Sequence, residues 1–147
     1  MLSSAPTARA NLVTALAARA GLSGVQVLAA MPTATNMQQD CIYLAKTVWE
    51  SEEGILSGDT KRRERYHIEL QIHVVRAGDD AVTVDNRAWA LFAEVESQLV
   101  NPSPGDPTLA GALNGWAEIK PVEHTPGWTE GRRVSMIDAN VYCVHKK

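Results

Sequence analysis

Phenylalanine occurs once and cysteine twice in this chain of 147 residues. Cys41 and Cys143 lie far apart, each among β-branched and aromatic neighbours, so both read as buried free thiols and not as a disulfide framework. No apolar run reaches the roughly 20 residues of a membrane span, because Arg9, Asn11 and Arg19 break the stretches near the N-terminus. Neither a secretory core nor a membrane helix is predicted, and synthesis in the cytoplasm is. Positive charge is not in excess: 14 Lys and Arg stand against 17 Asp and Glu, a net charge of -3. A duplex-binding protein needs concentrated basic charge to displace counterions, and here the concentration is only local, at Lys61, Arg62, Arg63 and Arg65.

Motifs of chemistry are also wanting. The chain contains no Gly-x-Ser-x-Gly, Gly-x-Gly-x-x-Gly or phosphate-loop pattern, and no Cys-x-x-Cys or His-x-x-x-His pair. His67 and His73 share a strand face, but six residues of strand separate them by roughly 20 Å, too far for one metal ion. Glu52 with Glu53 and Asp79 with Asp80 are neighbours in loops, where solvation keeps carboxylates ordinary and suits caps better than acid catalysis. No catalytic, cofactor-binding or metal-binding residue is therefore predicted.

What is present is a strong strand at residues 65–75. Tyr66, Ile68, Leu70, Ile72 and Val74 fall on one side of an extended backbone, and His67, Glu69, Gln71 and His73 on the other. One dry and one wet face argue for an antiparallel sheet covered on a single side. Residues 1–6 read as a flexible arm and 7–20 as a helix, with Ala8, Leu12, Ala15, Leu16 and Ala20 at helical spacing and Ser4 or Thr7 as its cap. A short strand follows at 25–30, stopped by Pro32, and a second at 41–50 with apolar side chains on both faces. Asp79 or Asp80 caps a second helix whose stripe is Val84, Ala88, Leu91, Phe92, Val95 and Leu99. After the proline-rich 101–107 segment come a short helical turn at 108–113, a strand at 116–122 placed at an edge by Pro121, a turn region at 124–131 holding Trp128, and a last strand at 132–145. Val134 and Met136 depart from that strand's alternation, which predicts a bulge or a face shared with another chain. The result is one α+β domain over 1–147, a single mainly antiparallel β-sheet packed on one face by two α-helices in the order α-β-β-β-α-β-β.

Residues 51–64 form an overlong connection between the second and third strands, acidic at its start, basic at its end, with Ile55 and Leu56 between. Most hairpin loops have roughly 2–5 residues, so the excess is either a solvated loop or an arm that orders against a neighbouring subunit. The four tryptophans sit largely at element ends, where large rings serve either to plug a small core or to make an interface. Glu52, Glu53, Ile55, Leu56, Lys61, Arg62, Arg63 and Trp128 are the candidate interface residues.

The element order, with 25-VQVLAAMP-32, the Ile42-Tyr-Leu strand, the basic run into 65–75, 85-DNRAWALF-92 and the closing strand at 138–144, resembles the tail terminator or tail-to-head joining proteins of long-tailed bacteriophages. The resemblance implies a non-enzymatic structural protein without cofactor, found in the virion tail or neck and made in the host cytoplasm. It implies a hexameric ring that caps the tail tube and meets the head-side connector, with no membrane partner and at most non-specific contact with DNA passing through the lumen. The alternative from the residues alone is a small cavity-bearing α+β enzyme or ligand-binding domain, with Tyr66, His67 or Glu69 lining the cavity.

Overall fold

The computed structural model describes residues 3–50, 63–78, 80–100 and 105–146. The chain runs α1 (Ala5–Ala18), a 3-10 turn (Ala20–Leu22), β1 (Gln26–Leu28), β2 (Asp40–Trp49), β3 (Arg63–Arg76), α2 (Ala81–Gln98), β4 (Gly115–Thr129) and β5 (Arg132–Lys146). One five-stranded sheet has the order β1-β2-β3-β5-β4, with every pairing antiparallel except the parallel β1–β2. This is the α+β arrangement that the strand and helix periodicities predict.

Alternation along β3 sets the layers. Tyr66, Ile68, Leu70, Ile72 and Val74 are buried, and with Ile137, Ala139, Val141 and Cys143 of β5 they meet the buried stripe of α2 and the Ala8, Leu12 and Leu16 line of α1. All six residues expected on the α2 stripe are buried. Asp80 caps that helix, its carboxylate accepting from the Thr83 amide at 2.8 Å. At β2 the expectation of apolar groups on both faces holds: Cys41, Ile42, Tyr43 and Leu44 are consecutive and all buried.

Several local expectations are corrected. α1 opens at Ala5, two residues early, because Pro6 has its ring torsion preset for a helix's first turn and Ala5 is buried. Ser4 stands at the N-cap position but makes no cap bond; its amide and hydroxyl donate instead to Glu64 at 2.9 and 2.7 Å. Residues 108–113 are turns and not a helix. The Asp106 carboxylate accepts from the amides of Thr108 and Ala110, and Leu109, Ala110 and Gly111 take left-handed φ values of 53, 56 and 81°. That conformation turns Leu109 into the core, where it is 1% exposed.

The edge strand is twice the expected length. β4 continues through Pro121 and Pro126 to Thr129, and a two-residue turn at Glu130-Gly131 leads into β5. An edge strand tolerates proline because one row of its amides has no partner to lose. The bulge expected near Ser135 is absent, since β3 and β5 stay in register from Arg63↔Lys146 to Arg76↔Arg133. The register shifts lie elsewhere, between Leu44 and Thr47 and between Pro121 and Glu123. At the first of these, Arg9 of α1 donates to the Ala45 carbonyl at 2.6 Å and the Thr47 hydroxyl at 3.1 Å, tying the irregular stretch of β2 to the helix.

Candidate interaction surface

The sheet face away from the helices is the molecule's broad exposed feature. Register places His67 beside Tyr142, Gln71 beside Asp138 and His73 beside Met136 on it. Its middle is polar and internally paired: Gln71 Nε2 donates to Asp138 Oδ1 at 2.5 Å, Lys46 lies 3.9 Å from Glu69, and Lys120 stands 5.6 Å above the Tyr142 ring. A shallow depression of ≈ 310 Å³ there is lined by Glu69 and Asp138, and His67 is not among its walls. Tyr66 has no part in it. Its ring is buried on the helix side, and its hydroxyl meets Ser4 Oγ at 2.9 Å.

One Ser–His–Asp grouping occurs among the described residues, and its geometry argues against acyl transfer. His124 Nε2 is 2.8 Å from Ser135 Oγ and 3.4 Å from Asp85 Oδ1, so serine and aspartate both address the same ring nitrogen. A relay requires one partner on each nitrogen, and Ser135 is fully buried besides. The cluster instead fastens β4 and β5 to α2, with the Trp89 ring 5.4 Å from that of His124. Cys41 and Cys143 are free and buried, as expected; burial raises both thiols above their ordinary value, Cys143 to about 12, which holds them protonated. Burial likewise lowers His73, with Asp138 partly opposing, so its imidazole is neutral at physiological pH.

Towards the β4–β5 turn the same face becomes apolar. A groove of ≈ 540 Å³ is walled by Met31, Met37, Val75, Val134, Met136 and Trp128. Met31 is 70% exposed and Trp128 61%. The Trp128 ring lies under the Arg133 guanidinium at 3.9 Å, and the pairing of Arg133 with Arg76 puts both on the helix side of the same sheet end, so Trp128 meets the groove only at its rim. Val134 and Met136 thus break the hydrophobic alternation without any slip of register: they project from the face opposite the core and line this groove. The sequence carried a signal for it in those two residues and in Met31-Pro32, and the groove itself was not anticipated.

Of the candidate interface residues, Glu52, Glu53, Ile55, Leu56, Lys61 and Arg62 lie outside the described residues. Arg63 is exposed at the first position of β3, opposite Lys146. Trp128 is opposite Arg133, thirteen positions further along the same ladder. At about 3.3 Å per residue these two sit roughly 40 Å apart, at opposite ends of the sheet.

No protein-family model matches the chain, and no curated protein matches it. Among solved structures, a chain from the "virion of native gene transfer agent (GTA) particle" is similar in fold, with a TM-score of 0.50 and 14% identity, covering 92% of this chain and 93% of that one. The class so defined is an α+β domain with one mainly antiparallel sheet and helices on one side, and the likeness spans nearly the whole of both chains.

Proposed function

We propose that the protein is a structural component of a virion, specifically a tail terminator or tail-to-head joining protein whose copies close into a hexameric ring on the tail tube and present a surface to the head-side connector. The whole-chain likeness to a virion chain supports a structural role in a particle. The observation that supports the ring is the separation of the two predicted contact features: Arg63, which follows the 51–62 segment in the chain, stands at one end of the sheet, and exposed Trp128 with the apolar groove beside it at the other. Two different surfaces at opposite ends make a head-to-tail contact, which closes into a ring when the rotation between copies permits. DNA passing through the lumen makes at most non-specific contact.

Native mass spectrometry and negative-stain imaging of the purified chain, alone and after incubation with tail tubes, test this reading. Six-copy mass and annular particles, free or at tube ends, are expected. A chain that stays monomeric or dimeric in both conditions and leaves tube ends bare would overturn it.

A further inference from the structure

We propose that the apolar groove at the Trp128 end of the sheet receives residues 51–62 of a second copy of this chain, with Ile55 and Leu56 seated on Val134 and Met136 and the Glu52–Glu53 pair beside Arg132. The inference rests on the ring reading and supplies its head-to-tail contact.

Chain reach decides that the contact is between copies. β2 ends at Trp49 and β3 begins at Arg63, and Trp49 pairs with Tyr66, so the described residues on either side of 51–62 stand together at one end of β3. Fully extended, twelve residues anchored at both ends project at most six positions, about 20 Å. Val75, in the groove, lies twelve positions along β3 from Arg63, roughly 40 Å away. The segment falls short of its own groove by about half the distance, and only another molecule's groove is open to it.

The chemistry of the two surfaces matches. Ile55 and Leu56 are the aliphatic residues of the segment, with acidic Glu52 and Glu53 just before them. Along the groove Met31, Met37, Val75, Val134 and Met136 supply apolar wall between polar residues such as Gln39 and Thr125, and methionine adapts its shape to a guest side chain at little strain. Its volume of ≈ 540 Å³ lies within the range of sites that enclose small apolar groups. At the mouth, Arg132 is exposed. Glu130 lines the same mouth, so the acidic pair is directed to the Arg132 side.

A synthetic peptide of residues 50–64, added to the full-length chain carrying Ile55→Asp and Leu56→Asp, isolates the contact from ring closure. Saturable binding is expected, read as heat in an isothermal titration. The same Asp substitutions made in the peptide are expected to weaken binding at least tenfold, because charged side chains replace the two aliphatic groups the groove takes up. Met136→Glu in the chain is expected to abolish binding while circular dichroism stays unchanged. Absence of saturable heat at millimolar peptide overturns the inference. So does a Met136→Glu chain that binds the peptide as well as its parent, or one that loses attachment to tail tubes while the unsubstituted groove ignores the peptide, which would assign the groove to another virion protein. Rings formed normally by Met136→Glu leave the ring reading standing and remove this contact. Peptide binding by a chain that never forms rings, alone or on tubes, does the reverse.

Discussion

Asp40, the first residue of β2, sits between two guanidinium groups, with Arg76 Nη1 2.6 Å from Oδ1 and Arg87 Nε 3.0 Å from Oδ2. Desolvation of the partly buried carboxyl pushes its pKa up, and the arginines more than offset this, leaving it below its ordinary value. A carboxyl depressed in the folded state adds stability above its unfolded pKa, and that stability is lost as pH falls through the folded value. Asp40→Asn should therefore cost about 1–2 kcal/mol at neutral pH, discounted because Arg87 is partly exposed, and the deficit should shrink as pH drops below about 4. Urea titrations of both chains between pH 7 and pH 2.5 check it; a constant gap across that range contradicts the assignment. Nothing in the sequence marks Asp40 for this role, because its partners lie on β3 and α2, thirty-six and forty-seven positions away.

At the scale of elements, the connection from α2 to β4 is where local propensity loses to packing. Residues 108–113 carry small and aliphatic groups that read as a helical turn, yet Asp106 captures their amides and the chain turns left-handed at Leu109 and Ala110. Asn11 of α1 then donates to the Leu109 carbonyl at 2.8 Å, tying the turn to the first helix. An L-residue in that conformation carries roughly 1–2 kcal/mol of strain, part of which glycine relieves at the expense of unfolded-state entropy. Ala110, exposed and at φ 56°, should accept glycine with a gain of about 0.5–1 kcal/mol, seen as a higher urea midpoint at unchanged slope. Gly115 has the opposite requirement: a Cβ there would collide with the Val144 carbonyl, so Gly115→Ala should destabilise the start of β4 by on the order of 1–3 kcal/mol in the same titration.

For the whole molecule, the proposed assembly separates orientation from affinity. An exposed charge pair between the Glu52–Glu53 end of one copy and Arg132 of the next is worth about 0–1 kcal/mol, so the apolar groove at the Trp128 end must supply most of the binding. Raising salt from 50 mM to 500 mM should weaken the ring only modestly, whereas Trp128→Ala should abolish it and leave the monomer's circular dichroism intact, because the ring is largely exposed in the protomer. Sedimentation velocity on both chains reads the two effects; unfolding of Trp128→Ala would make the ring a core residue and count against the interface. What the sequence determined by itself was the class of fold and its core: period-two and period-four apolar spacing selects which face of each element is dry, and that choice is local. It also flagged Val134 and Met136 as apolar groups without a place. Only tertiary structure decided where those groups went, how far β4 extends, that Ser135 and Asp85 converge on one nitrogen of His124, and that Arg63 and Trp128 stand at opposite ends of the sheet. Those outcomes depend on strand order and register, which are fixed by the joint packing of residues distant in the chain and have no period of their own to be read.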